Sequence, residues 1–317
     1  PGANQKVLIM KDLEFILHTR QLIDSLKNVC ANFGLGNSAG EFDIISQVFL
    51  YKFLNDKFTY EAKKVPGFNL EGTTNFQNAF EKLSEEEIAL FHILIAPGTP
   101  KLKPHQTASF LHNRKNEDDF AALFDDTLQQ IGSENTAIYS IKAASGAKDA
   151  IFDRLSQIIR DPSQRDPFCR ALISKLFEIS FEGMFQEKYD FFATIFEYLI
   201  KDYNSDSGGK YAEYYTPHAV ARIMAKILVN EPVQNATVYD PSAGSGTLLM
   251  TIAHTIGENN CTIYSEDISQ KSSNMLRLNL VLNNLSHSIP NVIKANTLKD
   301  SYYLNERFDY IVSNPPF

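Results

Sequence analysis

Cysteine is scarce. The 317 residues hold three, Cys30, Cys169 and Cys261, far apart and with no CxxC pair. That excludes a zinc ribbon or a disulfide framework, and it fits a reducing, cytoplasmic compartment. Positive charge is also in deficit: Lys and Arg number 30 against 38 Asp and Glu, a net charge of −8. A protein that grips DNA alone by neutralising phosphates is usually basic on at least one face. If nucleic acid is the substrate here, another subunit must supply much of the grip. No apolar run approaches the ~18 residues of a membrane span. The best, Phe191 to Ile200, is short and holds Glu197, so no membrane association is expected. The start, Pro1-Gly2-Ala3-Asn4, lacks both Met and a basic-then-apolar signal pattern; it reads as a processed or added end. Internal repeats and long low-complexity tracts are missing too.

What remains is a globular composition, 44% apolar and 21% charged, which excludes general disorder. The length suits about two domains. The first ~200 residues read as helices from their apolar spacing. Phe42, Ile45, Val48, Phe49, Tyr51 and Phe53 mark one helix. Glu85 to Leu94, with Ser84 as N-cap, marks a second. Phe168 to Phe181 is a third and Tyr189 to Tyr203 a fourth. Phe177, Phe181, Phe185, Phe191, Phe192 and Phe196 read as the core of a helical bundle. Residues 1–203 are therefore taken as an all-α N-terminal domain, and 204–210 (Asn-Ser-Asp-Ser-Gly-Gly-Lys) as a linker. Its Gly-Gly-Lys is no P-loop, because the upstream Gly and the following Ser/Thr are missing.

From residue 211 to 317 the pattern changes to strands alternating with helices, which argues a parallel α/β sheet. Thr237-Val238-Tyr239, Cys261 to Ser265, Asn291-Val292-Ile293 and Phe308 to Val312 are the strands. Three chemical signals sit at their carboxyl ends. Asp240-Pro241-Ser242-Ala243-Gly244-Ser245-Gly246 opens a helix near Thr247. Its glycines let backbone approach a ligand, and the helix start offers N–H groups. The order is not the GxGxxG of dinucleotide enzymes; an initial Asp suits a nucleoside with an amino-acid tail, whose ammonium a carboxylate offsets. Ser265-Glu266-Asp267-Ile268 ends the second strand, where an acid can accept both ribose hydroxyls. Asp267 is the choice for that role and Glu266 the alternative. Ser313-Asn314-Pro315-Pro316-Phe317 ends the fourth strand. An Asn and a backbone carbonyl there can accept both N–H bonds of a planar amino group, which favours the tetrahedral nitrogen that methyl transfer demands. The following aromatic ring can stack on a flipped base.

These motifs together resemble those of S-adenosylmethionine-dependent amino-methyltransferases. Lys210-Tyr211-Ala212-Glu213-Tyr214-Tyr215-Thr216-Pro217 narrows the resemblance to adenine-specific DNA methyltransferases, although a Thr N-cap before Pro at a helix start is also plain structure. From about Phe42 to Phe317 the chain is similar to the modification (M) subunit of type I restriction–modification systems. That resemblance implies a Rossmann-like methyltransferase domain, with the first half of its sheet present, preceded by the all-α domain. It implies adenine methylation in DNA with S-adenosyl-L-methionine as cofactor and no metal, beside a specificity (S) subunit and a restriction (R) subunit. Glu213, Tyr214, Tyr215, Thr216 and Pro217 would border the methionine end. Asp240, Pro241, Gly244, Ser245, Gly246 and Thr247 would form the loop under the cofactor. Asp267 would take the ribose, and Ile268 would pack the adenine ring. Asn314, Pro315, Pro316 and Phe317 would hold the target base. Two positions depart from the family: Ser265 replaces a usual Gly, and Asn296 replaces an Asp that touches the cofactor's adenine amino group. The family's fold needs three more strands beside the fourth, so this chain alone is expected to be inactive. Protein-glutamine or RNA methylation, or a non-catalytic assembly role, are the other readings of the same motifs.

Overall fold

The computed structural model describes residues 3–36, 39–68, 70, 75–136, 141–143, 148–149, 151–185 and 216–315. The chain divides into two compact units. Residues 1–135 and 152–191 form one, and residues 136–151 and 192–317 the other.

The first unit is helical: α1 (Ala3–Asn32), α2 (Ala39–Ala62), α3 (Phe76–Phe80), α4 (Glu85–Leu94), α5 (Ala108–Arg114), α6 (Phe120–Glu134) and α7 (Arg165–Phe177). In α2, Phe42, Ile45, Val48, Phe49, Tyr51 and Phe53 are all buried, as their spacing predicts. Ser84 caps α4 in a full capping box with Glu87, and Glu85 to Glu87 complement the positive end of the helix dipole. The third expected helix ends at Phe177, four residues early. Phe181 is nevertheless core, 5.2 Å from Phe49 ring to ring. Phe177 is not: it is 46% exposed and stacks on the His112 ring at 3.9 Å. The expected helix Tyr189 to Tyr203, with Phe191, Phe192 and Phe196, and the 204–210 linker lie outside the described residues.

The second unit holds a six-stranded sheet of β1 (Ile141–Ala143), β2 (Lys148–Asp149), β3 (Ala236–Asp240), β4 (Cys261–Asp267), β5 (Val292–Lys294) and β6 (Tyr310–Ile311), in the order β2-β1-β5-β4-β3-β6. All neighbours are parallel except β1 and β2. Helices α8 (His218–Leu228), α9 (Thr247–Ile256), α10 (Gln270–Leu282) and the short α11 (Thr297–Asp300) accompany it. One boundary differs from the sequence reading, which places residues 1–203 in a single helical domain. Ile141–Ala143 joins the sheet beside β5, with Lys142 opposite Ile293. Three residues are too short a stretch to show alternation, so only the partner strand reveals them.

Strands β3, β4 and β5 step outward in one direction, and β6 returns to the other side of β3. The strand order thus reverses between β3 and β6, and in open parallel sheets ligands bind outside the carboxyl ends at such a switch point.

Candidate active site

Asp240 ends β3 and is only 2% exposed. Its carboxylate accepts the Ser242 N–H at 2.9 Å. Burial, foremost, and the nearby charge of Asp267 push its carboxyl up to about 7, against hydrogen bonds from Ser242 and Ser313. The loop after it is pinned on several sides. The Thr297 hydroxyl donates to the Pro241 carbonyl at 2.6 Å, and the Ala243 N–H donates to the Glu266 carbonyl at 3.1 Å. Gly244 and Gly246 have φ of 55° and 84°, the left-handed region that favours glycine. At Gly246 a Cβ would stand 2.2 Å from Leu276 Cδ1. Ser245 and Thr247 are buried, with their hydroxyls 3.1 Å apart.

The end of β4 separates its two acids by the alternation of a strand. Glu266 is fully buried. Its carboxylate accepts from the Tyr239 hydroxyl at 2.6 Å, the Ser301 hydroxyl at 3.0 Å and the Tyr302 N–H, beside a cluster of Tyr239, Ile293, Ala295 and Tyr303. That carboxylate is committed to holding the sheet. Asp267, on the other face, is half-buried, and its oxygens accept the Gly244 N–H at 2.9 Å and the Ser269 N–H at 2.8 Å. Each oxygen keeps lone-pair capacity for a further donor. Ile268 beside it is 66% exposed, and Leu298, after β5, is 97% exposed. Asn296 is half-buried and caps α11, its Oδ1 accepting the Leu298 N–H at 3.1 Å.

The end of β6 meets this loop. Ser313 Oγ lies 2.6 Å from Ser242 Oγ, and the Val312 N–H bonds to the Tyr239 carbonyl at 2.9 Å. Asn314 is exposed and its Nδ2 donates to the Thr216 hydroxyl at 3.3 Å. That bond turns the Asn314 oxygen away from Thr216. Thr216 does not cap the next helix: α8 begins at His218 with exposed Pro217 as N-cap and no side-chain cap bond. Thr216, Ser242, Ser313 and Asn314 are therefore joined, and the glycine loop joins Asp267 to them. Glu213, Tyr214, Tyr215, Pro316 and Phe317 lie outside the described residues, while Pro315 is exposed. The sequence reading held Ser242 and Ser313 within its motifs but gave no role to either, nor to Thr297 or Leu298. Their only signal is position, just beyond a strand end. Among the described residues no His, Cys, Asp and Glu cluster could hold a metal ion, and no helix is long and apolar enough to cross a membrane.

A parallel sheet with a glycine loop after one strand, an acid after the next and Asn314-Pro315 across the switch point defines a Rossmann-like methyltransferase fold, here accompanied by a helical unit. Residues 187–317 match the N-6 DNA Methylase family model. Over 285 residues the chain is 25% identical to the type I restriction enzyme MpnII methylase subunit of Mycoplasma pneumoniae, covering 84% of this chain and 51% of that protein. It is 26% identical to the type I restriction enzyme MjaIX methylase subunit of Methanocaldococcus jannaschii, over 52% of this chain and 30% of that one. A crystal structure of a type I restriction-modification system methyltransferase subunit from Streptococcus thermophilus superposes with a TM-score of 0.71 at 21% identity, covering 94% of this chain and 64% of that one. The chain is thus similar to type I methylase subunits, and it spans about half the length of the first of them.

Proposed function

We propose that the protein bearing this chain methylates the exocyclic amino group of adenine in DNA, using S-adenosyl-L-methionine, as the M subunit of a type I restriction–modification complex. The observation that carries the proposal is the junction of Asn314 with the glycine loop at the switch point, through Ser313 on Ser242 and Asn314 on Thr216. The edge beside it fits the cofactor. Asp267 has spare lone pairs for ribose hydroxyls, Ile268 and Leu298 offer bare aliphatic surface for an adenine ring, and Asn296 offers an uncharged acceptor for its amino group. In this reading Asp240 offsets the ammonium of the methionine end, and the segment that ends at Thr216 and Pro217 belongs to the same end of the cofactor. The bound donor supplies a methyl group activated by its positive sulfur.

The target nitrogen is a weak nucleophile because its lone pair is delocalised into the base. The Asn314 oxygen and the Pro315 carbonyl accept its two N–H bonds and strengthen as the nitrogen becomes tetrahedral and positive. Thr216, by holding Nδ2, keeps the oxygen end of the amide toward the substrate. No strong base is needed, since the proton lost after transfer is acidic. Phe317 supplies the ring on which the flipped base stacks. With a net charge of −8 on this chain, DNA is gripped chiefly by the specificity subunit, and a restriction subunit joins the complex. The match over 84% of the chain reaches beyond the sheet-bearing unit into the helical one, which favours this reading over protein-glutamine or RNA methylation. The test is to incubate the assembled complex with labelled cofactor and unmethylated DNA, then locate the label by mass spectrometry. N6-methyladenine is expected; label on glutamine, or on no substrate, contradicts the proposal.

A further inference from the structure

The Ser245 carbonyl of the glycine loop accepts a hydrogen bond from Asn279 Nδ2 at 3.1 Å. A carbonyl only accepts, so this bond fixes which end of the Asn279 amide is which. Asn279 Oδ1 then faces Asn283 Nδ2, 2.7 Å away, and the same Nδ2 donates to the Asn279 carbonyl at 2.8 Å. Both partners of that nitrogen are acceptors, so the Asn283 amide is fixed as well. Its Oδ1 is the atom turned to His254 Nε2, at 2.9 Å, and Nε2 must carry a proton. The other ring nitrogen, Nδ1, stands 2.5 Å from Glu258 Oε1. The bond from His254 is the first cause holding the Glu258 carboxyl below its ordinary value, so Glu258 is an ionised acceptor and Nδ1 carries a proton too.

Following the donors from the loop outward leaves a single protonation state for the ring, the imidazolium. Asn279 and Asn283 are 3% and 0% exposed. Buried amides of this kind lose much if one bond in the series goes unmade. Helix α10 also presses the loop at a second point, where Leu276 fills the space beside Gly246. Thus α10 sets the position of the loop, and the His254–Glu258 pair of α9 and the turn after it sets the polarity of the bonds through which it does so.

We infer that His254, held as an imidazolium by Glu258, is a positioning residue that orients the cofactor loop through Asn283 and Asn279 onto the Ser245 carbonyl. This rests on the methyltransferase reading for its purpose, but its geometry is independent of it. His254 touches no reactant; it acts by fixing the peptide between Ser245 and Gly246, whose N–H in turn bonds to the Ala243 carbonyl at 2.8 Å.

The experiment has three readings on the full chain. Ring-nitrogen NMR, with the His254 signals assigned by their loss in His254→Gln, is expected to show both nitrogens protonated at neutral pH; a neutral single tautomer overturns the inference. Amide hydrogen exchange at Ser245 to Thr247 is expected to quicken in His254→Gln and, by less, in Glu258→Gln, which keeps an acceptor and drops the charge. Unchanged exchange in both variants overturns it. S-adenosylmethionine titrated into the same proteins is expected to bind about tenfold more weakly to His254→Gln and about threefold more weakly to Glu258→Gln, the scale of hydrogen bonds to charged groups. Wild-type affinity in both variants removes the positioning role. Absence of binding by the wild type sinks the methyltransferase reading instead, while the ring and exchange results still decide the relay.

Discussion

Asp240 and Asp267 sit on adjacent strands with opposite surroundings, one sealed under the loop and one opening at the sheet's edge. For Asp240 the unfolded value is 3.8 and the folded one about 7. The folded chain therefore keeps a proton that the unfolded chain has released, and stability falls as pH rises from the lower value through the upper. Pairing with a ligand's ammonium would ionise the group. Binding of S-adenosylmethionine at a pH of ~6, between those values, should thus release protons, measured as calorimetric heats that differ between buffers of different ionisation enthalpy. Equal heats would take Asp240 out of that role. Asp267→Ala should weaken cofactor binding by about 1.5–3 kcal/mol, the range for hydrogen bonds to a charged group, as read by titration calorimetry. Unchanged affinity would remove Asp267 from the ribose. Glu266→Gln should behave differently, because its three donors are the protein's own: the expected loss is in thermal stability.

At the scale of elements, β3 and the glycine loop were legible because they carry a local pattern: a short apolar run, then closely spaced glycines, then a helix. Asn314 was legible because its neighbours Pro315 and Pro316 punctuate a strand end. The partners that build the edge were not, since Ser242 and Ser313 are 71 positions apart and Thr216 and Asn314 are 98 apart. Nothing local marks such pairs. Thr216 read locally as a helix cap, and only the fold shows its hydroxyl turned to Asn314. Phe177 read as core from its helical spacing, but the His112 ring at the surface is what it meets. The same limit hid β1. Because β1 lies between β2 and β5, Lys142→Pro must remove a ladder N–H from the interior of the sheet. It should destabilise the sheet-bearing unit by about 1–3 kcal/mol, seen in denaturant melts followed by hydrogen exchange in β5. A loss confined to the helical unit would refute the pairing.

The molecule as a whole combines a helical unit, matched along with the sheet in the methylase-subunit relatives, with a sheet whose strand order reverses beside the glycine loop. The division of labour proposed for it is that this chain holds cofactor and target base while other subunits choose and grip the DNA. The central claim is that Asn314 acts on the target amino group at that reversal. Its most direct test is methyl transfer by the assembled complex carrying Asn314→Ala, with cofactor affinity measured on the same sample. The account predicts a loss on the order of 10²–10³ in rate, by analogy with removal of one oxyanion-hole donor, with cofactor binding intact. Wild-type turnover by that variant would contradict it.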